Sequence, residues 1–324
     1  MKQLTRFIIG LACLVSIPTD TLAQNIEKEK ELTSHEKDTI DGWDKGGIIG
    51  TNMTQTSLTN WSAGGQSSVA ISGLVNLHAN ETQGGGLWEN HLAIAYGVLR
   101  QGTVKAWRKT DDKIDFTSKY GKKAFKKWYY AALMNFKTQF APGFNFPNDS
   151  TIISDIMSPG YLIVALGLDN KPKKEFGLFV APITVKLTMV TNQDLADAGA
   201  FGVEEAVYDV STGSKLSDGK TSRTELGGYI RIFYSKDVME NVTLQTKLDL
   251  FSNYTDNPEN IDVSWEVLVN MKVNKFISAS VTTHLLYDHD IAIGVDSDGD
   301  NEVDSFGPRT QFKEVIAVGL SYKF

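Results

Sequence analysis

The densest set of potential ligands in the chain is "DSDGDNEVD", which carries acidic side chains at Asp296, Asp298, Asp300, Glu302 and Asp304. In calcium-loop spacing these fall at positions one, three, five, seven and nine, with Asn301 at the sixth position, where a left-handed residue is needed. Oxygen ligands at alternating positions suit calcium better than a softer metal. Position twelve is Gly307, so the bidentate glutamate of an EF-hand is missing. The two readings are therefore a partial, weak calcium loop and a solvated acidic turn.

The other reactive residue types are sparser. His284 lies four residues from Ser280, a separation of about 13 Å along a strand, so a serine–histidine hydrolase would need its partner from a neighbouring strand. His78 and His91 are too few to make a strong metal site. "KKAFKKWYY", Lys122 to Tyr130, interleaves bases with aromatics as some nucleic-acid surfaces do, but it also reads as an interfacial anchor beside a strand. "SAGGQ" and "QGGGL" lack the lysine and the strand-to-helix setting of a phosphate loop. No nucleophile and base stand paired, so the expectation is that the protein is not an enzyme and requires no cofactor.

The elements that must position these residues are strands. "SVAISGLVNLHA", "HLAIAYGVL", "YAALMNFKTQF", "YLIVALGL", "FVAPITVKLTM", "ELGGYIRI", "VTLQTKLDL", "VSWEVLVNMKV", "ISASVTTHLLY" and the terminal "VIAVGLSYKF" all alternate apolar with polar or small residues. Alternate side chains on a strand point to opposite faces, so each segment has one greasy face. In "FVAPITVKLTM", Phe179, Ile183, Val185, Leu187 and Met189 are expected on that face, and Pro182 marks a bend or bulge. With the weaker "GGIIGTNMTQTS" and "KIDFTSKY" the strands number twelve; ten or fourteen stay open.

Apolar faces of nine or more residues are long for a globular strand and match a tilted crossing of hydrocarbon. The connections alternate between short ("NETQGGG", "GKKAFKK", "DNKPKKE", "SKDVMEN", "NK") and long, as in barrels with short periplasmic turns and longer external loops. Trp43, Trp61, Trp88, Trp128, Tyr161, Tyr287 and Tyr322 fall near strand ends, where an aromatic belt sits. The expected fold is thus all-β, a transmembrane antiparallel β-barrel in the outer membrane. It also explains why the chain stops on a strand: the last strand pairs with the first.

Lysine, arginine and acidic residues occur at mid-strand on the opposite faces, and these are the lumen candidates: Lys137, Lys186, Arg231, Lys247, Asp249, Glu266, Lys272 and His284. They fit either a narrow porin-like channel for small polar solutes or a non-conducting accessory barrel of a larger envelope complex, its charges neutralising one another. The bilayer and lipopolysaccharide are the expected partners.

Lys2 and Arg6, the apolar run from Phe7 to Ile17 and "TLA" before Gln24 read as a secretory signal over 1–23. A polar leader over 24–44 and the barrel over 45–324 follow. Removing the signal takes two basic residues and one acidic residue from 32 and 39, leaving 30 against 38, net -8. That balance speaks against nucleic acid as a partner. The one cysteine, Cys13, leaves with the signal.

"LTNWSAGGQSSVAISG", Leu58 to Gly73, and "GPRTQFKEVIAVGLSYKF", Gly307 to Phe324, resemble the ends of a Bacteroidota family, the domain of unknown function 3078. "HLLYDHDIAIGVDSDGD", His284 to Asp300, is similar to the same family. The resemblance spans roughly residue 40 to the end and is faintest from Lys105 to Ser222. It implies an outer-membrane barrel with a signal peptide, and no catalytic residues.

Overall fold

A computed structural model describes residues 41–57, 66–295 apart from 103, 105, 145, 147, 174 and 275–276, and 304–323. Twelve long strands make up the barrel. They are β1 Gly42–Thr56, β2 Ser68–Gln83, β3 Gly86–Gln101, β4 Arg108–Phe125, β5 Trp128–Thr138 and β6 Gly160–Lys173. The second half comprises β7 Phe176–Met189, β8 Ser222–Met239, β9 Val242–Asn253, β10 Ile261–Lys272, β11 Ile277–Tyr287 and β12 Gln311–Lys323. Each strand pairs antiparallel with the next in sequence, and β12 pairs with β1. The result is a closed up-and-down barrel of twelve strands.

Turn chemistry sets the register. Gly84 (φ 55°) and Gly85 (φ 78°) form the two-residue turn that holds Gln83 opposite Gly86, with both residues in the left-handed region that suits a twisted hairpin. Asn241 (φ 60°) supplies one left-handed residue in the turn between Met239 and Val242. These tight turns share one end with the start of β1, which is therefore the periplasmic end; the long connections crowd the other.

Alternation then divides the side chains. Leu166 (52% exposed), Ile183 (59%) and Ile316 (69%) point outward in a continuous apolar band, whose only comfortable neighbour is hydrocarbon. Trp43 and Trp88 pair at 5.9 Å near the periplasmic end of that band, and Phe125 stacks on Trp128 at 6.2 Å beside the β4–β5 turn. The Lys122–Tyr130 stretch is accordingly an interfacial hairpin. Together these features make the chain an outer-membrane barrel.

Two expectations are corrected. Phe179 lies in the lumen, buried beside Tyr229, because both neighbours of β7 lose register at Ala181–Pro182: Leu166 faces Ile183 but Leu168 faces Val180, and Gly227 faces Thr184 but Tyr229 faces Ala181. One extra residue there is a β-bulge, which inverts the parity of everything before it. Tyr161 belongs to no aromatic belt. It shares the lumen face with its cross-strand neighbours Lys137 and Thr188.

The long external connections between β5 and β6 and between β7 and β8 fold together. Helix α1, Gln193–Asp197, is capped by Asn192, whose Oδ1 accepts from the Asp194 and Leu195 amides. Val190, Leu195, Ala196 and Val203 are buried there against Ile152 and Phe201. The Asn192 amide donates to Ser158 Oγ at 2.9 Å, tying the two loops. At Gly202 the chain sits so close to Arg223 and the Asp290 carbonyl that a Cβ would meet them at 2.7 and 2.8 Å.

Candidate functional site

Among the described residues, most of the paired charge in the lumen falls into three tiers. Nearest the outside, Lys186 Nζ on β7 lies 2.6 Å from Asp262, 3.1 Å from Asp288 and 3.5 Å from Glu225. Arg223 joins Glu225 at 3.0 Å to Asp290 at 2.9 Å. Near the periplasmic end, Lys119 contacts Asp169 (2.9 Å) and Glu89 (3.2 Å), and Lys171 contacts the same two acids at 3.1 and 2.6 Å.

The middle tier crosses the barrel. Lys113 on β4 reaches Glu266 on β10, diametrically opposite, at 3.5 Å, and Lys247 on β9 lies 3.9 Å from Asp115 on β4. Lys247 also holds Glu266 at 3.0 Å, and Lys137 stands 4.0 Å from Asp115, which accepts from Asn135 at 2.7 Å. Arg231 grips Asp249 with Nε and Nη2 at 2.6 and 3.0 Å, and Tyr229 donates to the same carboxylate at 2.8 Å. A bidentate guanidinium–carboxylate pair is a strong, geometrically fixed contact. Between the middle and periplasmic tiers lies a cavity of about 350 Å³, lined by Lys113, Lys119, Lys171, Glu266, Phe179 and Phe233 among others.

Of the lumen candidates, Lys137, Lys186, Arg231, Lys247, Asp249 and Glu266 are brought into these tiers. Lys272 sits at the periplasmic end of β10 opposite Ser278, away from the crossing. His284 faces Glu266 across the β10–β11 pair and contacts Ser264 Oγ at 3.0 Å. This is a neighbouring-strand serine, but the Glu266 carboxylate is held by Lys247 and Lys113, so no serine–histidine–acid relay is assembled. His78 and His91 are cross-strand neighbours, with His78 Nε2 3.6 Å from Asp44. Among the described residues no group of three or more histidine, cysteine or acidic side chains is placed to hold a metal. Asp296, Asp298, Asp300 and Glu302 of the acidic run lie outside the described residues; Asp304 is just inside them.

Sequence reasoning missed Lys113, Asp115 and Lys119, although "KIDFTSKY" places them at every second position. It missed Glu89, Asp169 and Lys171 because they sit beside turns, where charge is ordinary.

Residues 53–144 match the model of the family described as "Protein of unknown function (DUF3078)". The match takes in Leu58 to Gly73, which carried part of the resemblance, and extends into the stretch where that resemblance was faintest. Among curated proteins no match is found. Solved structures similar to this chain include the NanC porin, at 10% identity over 86% of this chain and 100% of that one, with a TM-score of 0.35. An outer-membrane channel from Pseudomonas putida F1 is similar at 10% identity over 90% and 98%, TM-score 0.39. The translocator domain of the autotransporter NalP from Neisseria meningitidis is similar at 9% identity over 93% and 94%, TM-score 0.35.

Proposed function

We propose that this barrel is a narrow passive channel for small polar or charged solutes, with its constriction at the middle tier. The observation that supports this most directly is the Lys113–Glu266 contact of 3.5 Å between opposite walls, above a cavity of about 350 Å³. A twelve-stranded barrel has only modest interior space, so side chains meeting from opposite walls set the bore. Passage is then diffusion biased by charge, with no bond made or broken. Lys137, Lys186, Arg231, Lys247, Asp249 and Glu266 supply the charged walls, while Lys272 and His284 stand beside the path.

Planar-bilayer recording tests the reading. The native protein should give small ion-selective steps, and the Lys113→Met/Glu266→Gln variant, which removes both halves of the crossing, should give larger ones. Silence from both would favour the accessory-barrel reading, in which the barrel joins a larger envelope complex and the paired charges simply fill it. That second reading draws support from the folded external loops over the mouth.

The acidic run Asp296 to Asp304 is proposed as a weak external calcium loop, in the range of roughly 10⁻⁴ to 10⁻³ M expected of extracellular modules. Calorimetry should show a saturable calcium signal that vanishes in an Asp296→Asn/Asp298→Asn/Asp300→Asn variant. Identical isotherms would leave it a solvated turn.

A further inference from the structure

The barrel closes unevenly. β1 pairs with β2 along its whole length, from Gly42↔Thr82 to Thr56↔Ser68, and β12 pairs with β11 from Gln311 to Leu320. Among the described residues the seam between β1 and β12 is much shorter, running from Ile48↔Lys323 to Asn52↔Gly319. At its last rung the backbones are so close that a Cβ on Gly319 would lie 2.4 Å from the Thr51 carbonyl oxygen. Beyond it, both strands continue toward the outer leaflet, and continued register would set Thr54 against Ala317. Among the described residues no such pair forms: the β1 edge from Met53 to Thr56 and the β12 edge from Val315 to Val318 face one another unjoined.

Exposure reports the same opening. On the far wall, lumen positions are sealed: Ala165 and Thr184 are 0% exposed. At the seam, lumen positions Thr54, Thr56, Lys313 and Val315 are exposed. Bare strand edges in hydrocarbon are costly unless something fills or wets the gap.

The lumen beside the seam also differs from the lumen opposite. Its walls interleave the aliphatic Ile48, Leu74, Val315 and Ala317 with the small polar Asn52, Ser72, Ser280 and Thr282, whereas the crossing tiers arise mainly from β4 to β10. Among the described residues, Lys313 Nζ reaches across to Asp111 Oδ1 at 2.5 Å at the outer end of this chamber. A mixed aliphatic and hydroxyl wall reached from the bilayer, with a lysine–aspartate pair at its outer end, suits an amphiphile: acyl contacts come from Leu74, Val315 and Ala317, and the head has charged partners.

We propose that the outer half of the β1–β12 seam is a lateral portal for a single-chain amphiphile of the bilayer, its acyl chain entering between the strand edges and its charged head meeting Lys313 and Asp111. The axial channel is not required for this.

The test uses the full-length barrel in phosphatidylethanolamine–phosphatidylglycerol vesicles carrying lysophosphatidylethanolamine with a diazirine on its acyl chain. After irradiation, mass spectrometry should find label on lumen-facing Leu74 and Ala317 as well as on outward-facing Ile71 and Ile316. Oxidising a Thr54→Cys/Ala317→Cys variant, or joining that pair with a short bis-maleimide, should abolish the lumen labels and leave the outward ones; reducing the disulfide should restore them. Label confined to outward residues in the native protein overturns the proposal, as does lumen label that survives closure. Conductance recorded from the same preparations separates this from the channel reading: a silent barrel with a labelled lumen keeps the portal and removes the channel, and a conducting, unlabelled one does the reverse.

Discussion

Asp249 shows what a single lumen carboxylate does. It accepts two bonds from Arg231 and one from Tyr229, and all three groups are enclosed by the wall of β8 and β9. An enclosed guanidinium stripped of its carboxylate is left with uncompensated charge, which costs about 3–5 kcal/mol. Asp249→Ala should therefore lower the unfolding free energy by that order, read as a shift in urea midpoint in detergent. An Arg231→Met/Asp249→Leu double variant should recover most of the loss, because no orphaned charge remains. If the double variant is no better than the single, the pair contributes through packing instead. Outside the membrane, Asp197 is held at about 2 rather than 3.8 by the hydrogen bond from Lys215, with further bonds from Gln193 and the Gly219 amide. A depressed carboxylate contributes stability above its ordinary value and loses it as pH falls through the depressed one. Exchange protection of the Gly219 amide should consequently drop between pH 4 and pH 2, and Asp197→Asn should show low protection at both. Equal protection of the native amide at the two pH values would refute the link.

At the scale of the strand, the bulge in β7 depends on its neighbour. A Cβ at Gly167 on β6 would lie 2.1 Å from the Val180 carbonyl oxygen and 2.6 Å from Ala181 Cα, both backbone atoms that cannot rotate away. Gly167→Ala should destabilise the barrel by at least the ~1–3 kcal/mol typical of overpacking, seen as a lower temperature for the heat-dependent gel shift. Gly177→Ala on β7, where a Cβ meets nothing within 4 Å, is the matched control. This element also marks where the sequence stops being legible. Twelve strands and their faces could be read from alternation, because a one-residue slip would turn each greasy face into the lumen. Pro182 signalled a bulge, but nothing local says on which side of the proline parity flips. Alternation alone therefore puts Phe179 on the lipid face, whereas it packs on Tyr229 in the lumen. Tyr161 failed for a related reason: an aromatic at a strand end suits either the interface or the lumen, and its face depends on cross-strand register. The crossing pairs were less legible still, since Lys113 and Glu266 are joined only by closure of the barrel around them.

Across the whole molecule, the formal charges of the three tiers are unequal. The external tier sets Lys186 and Arg223 against Glu225, Asp262, Asp288 and Asp290, two bases to four acids, net -2. The middle tier sets Lys113, Lys137, Arg231 and Lys247 against Asp115, Asp249 and Glu266, net +1. The periplasmic tier balances Lys119 and Lys171 against Glu89 and Asp169. A solute arriving from outside thus meets excess acid first, in a low-dielectric throat that focuses its field. The proposed channel should be cation-selective, with a reversal potential of cation sign in a potassium chloride gradient. Exposed parts of that field are screened over about 10 Å at 0.1 M salt and about 3 Å at 1 M. Selectivity should therefore fade as the salt rises, whereas a purely steric constriction would not change. Asp290→Asn is the sharpest variant, because Glu225 still holds Arg223 at 3.0 Å when Asp290 loses its charge. It should move the reversal potential toward zero with little change in conductance. An unchanged reversal potential would place the selectivity at the Lys113–Glu266 crossing instead of at the mouth.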